Sequence, residues 1–217
     1  RARRPRPVST PVEPVLRAEG LSAAFGPREL FSGLSLHLPP GVTLVRGGDG
    51  RGKTTLLELL AGLTPPRTGT LRIGSLDLAT HADAYRAQVF LTRPATAALE
   101  QTTPADWFDG LRQRFGGFNA EAIDELAEGL GLGPHLAKPG YMLSAGTKRK
   151  VWLAGAFASG AAVTLLDEPF AALDKASIAF VLELLDDAAA GSARAWVVAD
   201  YEAPRGVPLA ATVDLGD

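Results

Sequence analysis

The order of a buried strand, a glycine-rich loop and a helix constrains the fold more than any other feature of this sequence. The apolar run Val42–Val45 has the composition of a fully buried strand. It leads into Gly47-Gly48-Asp49-Gly50-Arg51-Gly52, and the stretch Lys53–Ala61 then has a helical composition that stops at a glycine. The spacing Gly-x-x-x-x-Gly-Lys-Thr is that of a loop that binds phosphate at a helix N-terminus.

The chemistry of phosphate binding requires these residue types. Glycines allow successive backbone N–H groups to point at one anion, and the helix N-terminus adds the positive end of its dipole. The Lys53 ammonium can reach the β- and γ-phosphates, and the Thr54 hydroxyl can coordinate Mg²⁺. A glycine-rich turn with an incidental Lys-Thr pair is the alternative. The predicted nucleotide-binding residues of the loop are Gly47, Gly48, Asp49, Gly50, Arg51, Gly52, Lys53, Thr54 and Thr55.

Two adjacent acidic residues end a second buried strand, Val163–Leu166. The carboxyl ends of parallel strands face the ligand crevice, so Asp167 can hold Mg²⁺ there, directly or through water. Glu168 lies one residue further and can polarise a water molecule in line with the γ-phosphate. An ordinary Asp-Glu turn is the alternative. Together with the glycine loop, the pair predicts a nucleoside triphosphatase.

Strands alternate with helices along the chain, which predicts an α/β fold with a largely parallel sheet of the P-loop NTPase type. Short alternating stretches from Val15 to Leu38 predict a small antiparallel layer at the N-terminus. Residues from about 95 to 160 predict an inserted helical subdomain. We expect one nucleotide-binding domain over 15–217, preceded by a disordered basic, proline-rich tail at 1–14.

Composition excludes several kinds of site. The 217 residues include no cysteine and three scattered histidines, which argues against zinc sites, disulfides and a cysteine nucleophile. A net charge of −2 argues against a nucleic-acid partner bound by bulk electrostatics. The longest uncharged run, Val151–Leu166, is shorter than the ~20 apolar residues that a membrane-spanning helix needs.

A third motif, Leu143-Ser144-Ala145-Gly146-Thr147, opens the helix before the acidic strand. Ser144 is a plausible helix cap, and the small residues around it leave N–H groups open to an anion. This helix start cannot easily share the glycine loop of its own chain, so we expect it to act on a partner molecule.

With these motifs in order, the chain from about Val15 to its end resembles the ATP-binding subunits of ABC transporters. The motif Leu143–Thr147 resembles the family signature, Asp167-Glu168-Pro169 the extended Walker B motif, and Ala171–Asp174 the D-loop, with Asp174 as its acid. Within the family, Glu29–Ser35 and Asp167–Lys175 look most like the haem-exporter subunit of cytochrome c maturation.

The resemblance implies a fold of the RecA-like, ABC type and a working assembly. Two cassettes, identical or different, would sandwich two ATP molecules head to tail, with Ser144 and Gly146 of one facing the phosphate loop of the other. It implies Mg²⁺ as cofactor, a separate transmembrane subunit, and a peripheral location on the cytoplasmic face of the membrane. Phe25 occupies the place of an aromatic that stacks on adenine; a core position in the N-terminal sheet is the alternative.

Three positions depart from the family pattern. Arg93 stands where the family has a glutamine that senses the γ-phosphate; as a cation Arg93 can contact phosphate, but it cannot be a metal ligand. Asp200 stands where the family has a histidine that hydrogen-bonds the γ-phosphate, and Asp49 where it favours asparagine. An acid beside a triphosphate adds like charge in place of a donor. We therefore expect slow hydrolysis, or hydrolysis only in the assembled transporter.

Other functions remain open at this point. The family also contains ATPases that act on DNA or ribosomes, but these carry a long coiled coil or a second cassette. A degenerate cassette that binds ATP and regulates a partner without hydrolysis is the other alternative. We expect Lys148-Arg149-Lys150 to be a solvated face, and Trp107 and Phe108 to pack in the core rather than dock a partner.

Overall fold

Two β-sheets with helices around them form the protein, and the computed structural model describes residues 13–93 and 99–216. The predicted tail at 1–14 lies outside these residues except for its last two. The strands are β1 (Leu16–Phe25), β2 (Arg28–Leu38), β3 (Gly41–Arg46), β4 (Thr68–Ile73), β5 (Leu76–Asp77), β6 (Val89–Leu91), β7 (Val163–Asp167), β8 (Ala195–Ala199) and β9 (Leu209–Asp214). The helices are α1 (Lys53–Leu60), α2 (Ala82–Arg86), α3 (Pro104–Arg114), α4 (Ala122–Gly129), α5 (Ala145–Ala158) and α6 (Lys175–Ala190).

The N-terminal part forms the predicted antiparallel sheet, with strand order β2-β1-β4-β5 in the described residues. Two short strands were expected where the structure has the single strand β1. Gly20 adopts φ 63, and the register of β1 against β2 shifts between Ala18 and Leu21. A glycine in the left-handed region accommodates this irregularity without ending the strand.

The second sheet is parallel throughout the described residues, in the order β6-β7-β8-β3-β9. Ala199 at the end of β8 pairs with Val45 of β3 on one side and with Asp167 of β7 on the other. The carboxyl ends of these three strands are therefore level. The residues that follow each of these strands therefore lie together at one edge of the sheet.

Side chains of the parallel sheet alternate between two apolar cores. In β8, Trp196 and Val198 pack into one core with helices α3 to α6, whereas Ala195 and Val197 pack into the other. The second core also contains Leu56 and Leu57 of α1 and the apolar face of the antiparallel sheet. A strand buried on both faces needs this continuous apolar sequence, which explains why β3 and β7 could be predicted.

Helices α3, α4 and α5 lie between β6 and β7 in the chain. Thr103 caps α3 by accepting a hydrogen bond from the Asp106 N–H at 3.1 Å, and the Asn119 side chain accepts one from the Ala122 N–H at 3.3 Å at the start of α4. Phe108 is buried and Trp107 packs against Phe90. The bounds of a helical subdomain at about 95–160 stay a prediction.

In the part of the chain that the structure describes, none of the helices combines the length and the apolar character needed to cross a bilayer.

Candidate functional site

The glycine loop joins the buried strand β3 to helix α1, as predicted. Gly52 lies immediately before α1 with φ 94, a left-handed conformation that side-chain-bearing residues rarely adopt. A β-carbon on Gly52 would also lie 3.2 Å from a methyl carbon of Leu30. The loop is tied to the C-terminal end of the described chain, because Gly48 N–H donates to Gly216 O at 3.1 Å.

Lys53 is folded back over the loop. Its ammonium donates to Gly47 O at 2.7 Å and to Gly48 O at 3.2 Å, and it lies 4.3 Å from the centre of the Tyr201 ring. Lys53 is only 7% exposed, which is unusual for a lysine. The carbonyl groups and the ring together compensate the burial of its charge.

Thr54 and Asp167 are in contact although 113 positions separate them in sequence. The Thr54 hydroxyl donates to Asp167 Oδ2 at 2.8 Å, and Asp167 N–H donates to the Thr92 hydroxyl at 3.1 Å. Burial raises the pKa of Asp167 above its ordinary value, while the hydrogen bond from Thr54 acts in the opposite direction. A hydroxyl and a carboxylate side by side are the donor set that Mg²⁺ takes next to substrate phosphates.

The chain reverses direction immediately after Asp167. Glu168 has φ 44, a left-handed conformation that is uncommon for a residue with a side chain. Its N–H donates to Ala199 O at 2.9 Å, and the Arg149 guanidinium donates to its carbonyl. The turn is therefore held by both β8 and α5, and the Glu168 side chain lines a cavity that it shares with residues of the glycine loop.

Asp200 and Tyr201 follow β8 and approach the loop from the other side. Burial raises the pKa of Asp200, as does the negative charge of Glu168, while the hydrogen bond from Tyr201 N–H lowers it. The Tyr201 hydroxyl donates to Asp49 Oδ1. Asp49 and Asp200, the two acids that depart from the family pattern, thus both contact Tyr201, which sequence reasoning had not singled out.

A cavity of about 340 Å³ lies over the loop. Its walls include the predicted residues Lys53, Thr54, Thr55 and Glu168, and also Arg28, which the sequence did not single out. Arg28 lies in the hairpin that follows Phe25, and one guanidinium nitrogen would be 3.7 Å from a β-carbon placed on Gly50. The side chain of Phe25 itself lies outside the described part of the structure.

The signature motif lies at the start of α5. Ser144 caps the helix by accepting from the Thr147 N–H at 3.1 Å. A β-carbon on Gly146 would lie 2.5 Å from Ala172 O, so the motif packs directly against the D-loop. Among the described residues, none of Leu143, Ser144, Ala145, Gly146 and Thr147 lines the cavity over the glycine loop.

Arg93 lies beside helix α1, which follows the glycine loop. Its guanidinium lies 3.7 Å from the Glu58 carboxylate of α1, and it borders a separate cavity with Trp107 and Trp152. A contact between Arg93 and a nucleotide phosphate stays a prediction.

The prediction of a solvated face at Lys148-Arg149-Lys150 is wrong. Lys148 pairs with Glu100, Arg149 donates to the Glu168 carbonyl, and Lys150 pairs with Asp174 at 2.6 Å. The pKa of Asp174 is held well below its usual range by this lysine and by the Ser177 N–H that it caps. Arg149 and Lys150 thus fasten α5 to the Asp167-Glu168 turn and to the D-loop, and Lys148 fastens it to Glu100. These partners are distant in sequence, so the sequence alone did not reveal the contacts.

The comparisons with known proteins agree with this site. The model of the ABC transporter family matches residues 31–171. The cytochrome c biogenesis ATP-binding export protein CcmA of Methylococcus capsulatus is 38% identical over 175 residues, covering 79% of this chain and 84% of the relative. The protein of the same name from Aromatoleum aromaticum is 33% identical over 202 residues, covering 90% and 92%.

Solved structures agree on the fold. An ATP-binding subunit of an ABC transporter matches with a TM-score of 0.76 at 22% identity, covering 86% of this chain and 79% of that one. A Pyrococcus furiosus protein described as a putative ABC transporter ATP-binding protein matches with a TM-score of 0.73 at 20% identity, covering 92% and 96%. With the family motifs assembled as described above, the chain belongs to the ABC transporter family, as one of its ATP-binding subunits.

Proposed function

We propose that this protein hydrolyses ATP to drive export through a separate membrane subunit, in the biogenesis of c-type cytochromes. The observation that carries the proposal is the cavity at the level ends of β3, β7 and β8, where Lys53, Thr54 and Glu168 converge beside Asp167. The curated relatives that cover most of this chain are named as cytochrome c biogenesis ATP-binding export proteins, which supports export as the direction of transport and cytochrome c biogenesis as the process.

Each residue has a distinct task in this proposal. The loop N–H groups and the helix N-terminus bind the phosphates, and Lys53 contacts the β- and γ-phosphates once its ammonium is released. Glu168 accepts a proton from a water molecule while the water oxygen bonds to the γ-phosphorus. The bond from that phosphorus to the β,γ-bridging oxygen breaks, and ADP leaves with the bridging oxygen.

Thr54 and Asp167 are the residues that would hold Mg²⁺, which neutralises phosphate charge when it is bound. No cluster of three or more His, Asp or Glu side chains suited to a metal occurs in the described parts of the chain. A single carboxylate beside a hydroxyl is enough for Mg²⁺, because the nucleotide phosphates and water supply the other ligands.

We further propose that hydrolysis by the isolated subunit is slow. Asp200 places a carboxylate where a donor would stabilise the γ-phosphate, and its pKa is raised by burial and by Glu168. A negative charge there opposes the charge that develops in the transition state. The complete site forms when Ser144 and Gly146 of a second cassette reach the phosphates, with Asp174 and the D-loop beside them.

The substitution Glu168→Gln tests the catalytic assignment. It keeps the shape of the side chain and removes the proton acceptor, so we expect turnover to fall by about 100-fold or more while ATP affinity is retained. Phosphate release and equilibrium ATP binding are measured on the same preparations. Lys53→Ala serves as the matched control, because we expect it to lower the affinity for ATP as well as turnover.

The second candidate is a cassette that binds ATP and regulates a partner without hydrolysis. The acids at 49 and 200 favour it, since both lie around the phosphate loop. It predicts no measurable turnover in the wild type, either alone or with membranes, and a Glu168→Gln variant that behaves identically.

Affinity purification from membranes then tests the transport assignment: a co-purifying membrane transporter subunit supports it, whereas ribosomes or DNA contradict it.

A further inference from the structure

Tyr201 closes the space above the phosphate-binding lysine. Its ring centre lies 4.3 Å from Lys53 Nζ, and its hydroxyl donates to Asp49, a residue of the glycine loop. The hydrogen bond to Asp49 raises the pKa of Tyr201 to about 12, so the hydroxyl keeps the proton that it donates. One side chain therefore contacts both the cation and the acid of the loop.

The Lys53 ammonium has three neighbours in the described residues. Two of them are Gly47 O and Gly48 O, the third is the aromatic ring of Tyr201, and the residue is 7% exposed. A phosphate oxygen needs a position about 3 Å from this nitrogen. The ring of Tyr201 occupies one side of this nitrogen and so competes with such an oxygen.

The attachment of Tyr201 allows it to leave. The residue is 50% exposed, and it lies in the irregular segment between β8 and β9, which contains Gly206 with φ 81. Among the described residues, its side chain is held by one hydrogen bond to Asp49 and by the contact with Lys53. An arriving triphosphate competes for the cation and repels the carboxylate, and so weakens both contacts.

We propose that Tyr201 is a latch on the phosphate loop: in the nucleotide-free protein it covers Lys53 and bonds Asp49, and it must swing away before a triphosphate can bind. The apparent binding constant for the triphosphate is then the intrinsic constant multiplied by the fraction of molecules in which the latch is open. Tyr201 is thus a positioning residue, acting through Lys53 and Asp49. This inference rests on nucleotide binding at the loop, as proposed above.

The first test needs no nucleotide. Acylation of lysines by an amine-reactive ester, followed by peptide mass spectrometry, measures how accessible Lys53 is. We expect Tyr201→Ala to raise the labelling rate of Lys53 several-fold and to leave exposed Lys138 unchanged as an internal control. Equal labelling of Lys53 in wild type and variant overturns the latch.

The second test measures equilibrium binding of ATP. Tyr201→Phe removes only the hydroxyl and should tighten binding by about 3-fold, the worth of one partly exposed hydrogen bond. Tyr201→Ala also removes the ring and should tighten it by about 10-fold. In an Asp49→Ala background, Tyr201→Phe should have no further effect, because the acceptor is gone. Tyr141→Phe, which alters an exposed tyrosine at another place, is the matched control.

Weaker ATP binding in both Tyr201 variants overturns the proposal, since it would make Tyr201 a direct ligand of the nucleotide. Thermal unfolding of each variant verifies that it is folded. If Tyr201→Ala does not fold, ATP binding by the conservative Tyr201→Phe variant still tests the proposal. Faster Lys53 labelling in Tyr201→Ala without ATP binding in any variant would support the latch and contradict the proposed function.

Discussion

At the scale of single residues, charge determines how this site handles a triphosphate. Asp49 and Asp200 lie on either side of Tyr201, and Glu168 lies close enough to Asp200 to raise the pKa of its carboxyl group. The positive charges around the loop are those of Lys53, which contacts the Tyr201 ring, and Arg28, which lines the cavity. The loop is therefore less positive than its sequence motif alone implies.

The substitution Asp200→Asn should tighten ATP binding at neutral pH, by about 3- to 10-fold, because it removes one negative charge near the phosphates. The pKa of Asp200 is raised by burial, so the wild-type carboxyl takes up its proton at a higher pH than an ordinary aspartate. The advantage of the variant should therefore shrink as pH falls from about 8 to about 5. ATP dissociation constants across that range, measured on both proteins, check this.

A ratio of the two ATP dissociation constants that stays the same over the whole pH range would contradict the role given to Asp200. The comparison is made as a ratio because the raised pKa of Asp167 affects both proteins equally.

The sequence motifs predicted the contact between Thr54 and Asp167, since both residues belong to spacings with a fixed geometric meaning. Tyr201, Arg28 and Arg149 could not be predicted in the same way. Their roles arise from contacts with residues far away in the chain, such as Asp49, 152 positions from Tyr201. No local pattern encodes such a pairing when a single sequence is considered.

At the scale of elements, the start of α5 and the D-loop form one packed unit. Gly146 lies against Ala172 O, and Lys150 pairs with Asp174, which caps α6. Ala172 itself has φ 59, a left-handed conformation that a non-glycine residue keeps only when its surroundings hold it. The signature helix and the turn after Glu168 must therefore move together.

Two glycine-to-alanine substitutions distinguish the effect of this packing on stability from the effect of helix propensity. Gly146→Ala places a methyl group 2.5 Å from Ala172 O and should lower the free energy of unfolding by about 1–3 kcal/mol. Gly110→Ala in α3 meets nothing within 4 Å and should raise it by about 0.5–1 kcal/mol. Denaturant unfolding of both variants checks the pair. A stability gain for Gly146→Ala would show that α5 and the D-loop separate easily.

Elements with a strong apolar pattern were predicted closely: the runs Val42–Val45 and Val163–Leu166 lie within strands β3 and β7. Strand β9 was missed. It pairs with β3 at the sheet edge, and its residues alternate between partly buried and exposed. The sequence Leu209–Asp214 lacks the continuous apolar run of an interior strand, so only its place beside β3 identifies it.

At the scale of the whole molecule, the strand order brings the chemistry together. The sequence implied a parallel sheet, but the order β7-β8-β3 could not be predicted, because alternating strands and helices permit several arrangements. That order places the glycine loop, the Asp167-Glu168 pair and Asp200 at adjacent strand ends. The signature residues Leu143–Thr147, by contrast, are not among the described residues that line the cavity of their own chain.

This separation has a kinetic consequence. If a second cassette must supply the signature motif, the rate of ATP hydrolysis per molecule depends on how often two molecules meet. Specific activity should rise with protein concentration and level off once pairs predominate, whereas activity independent of dilution would mean that one chain hydrolyses ATP alone. In the cell, a membrane subunit that holds two copies side by side would act as a scaffold, fixing a high local concentration and coupling ATP consumption to assembly of the transporter.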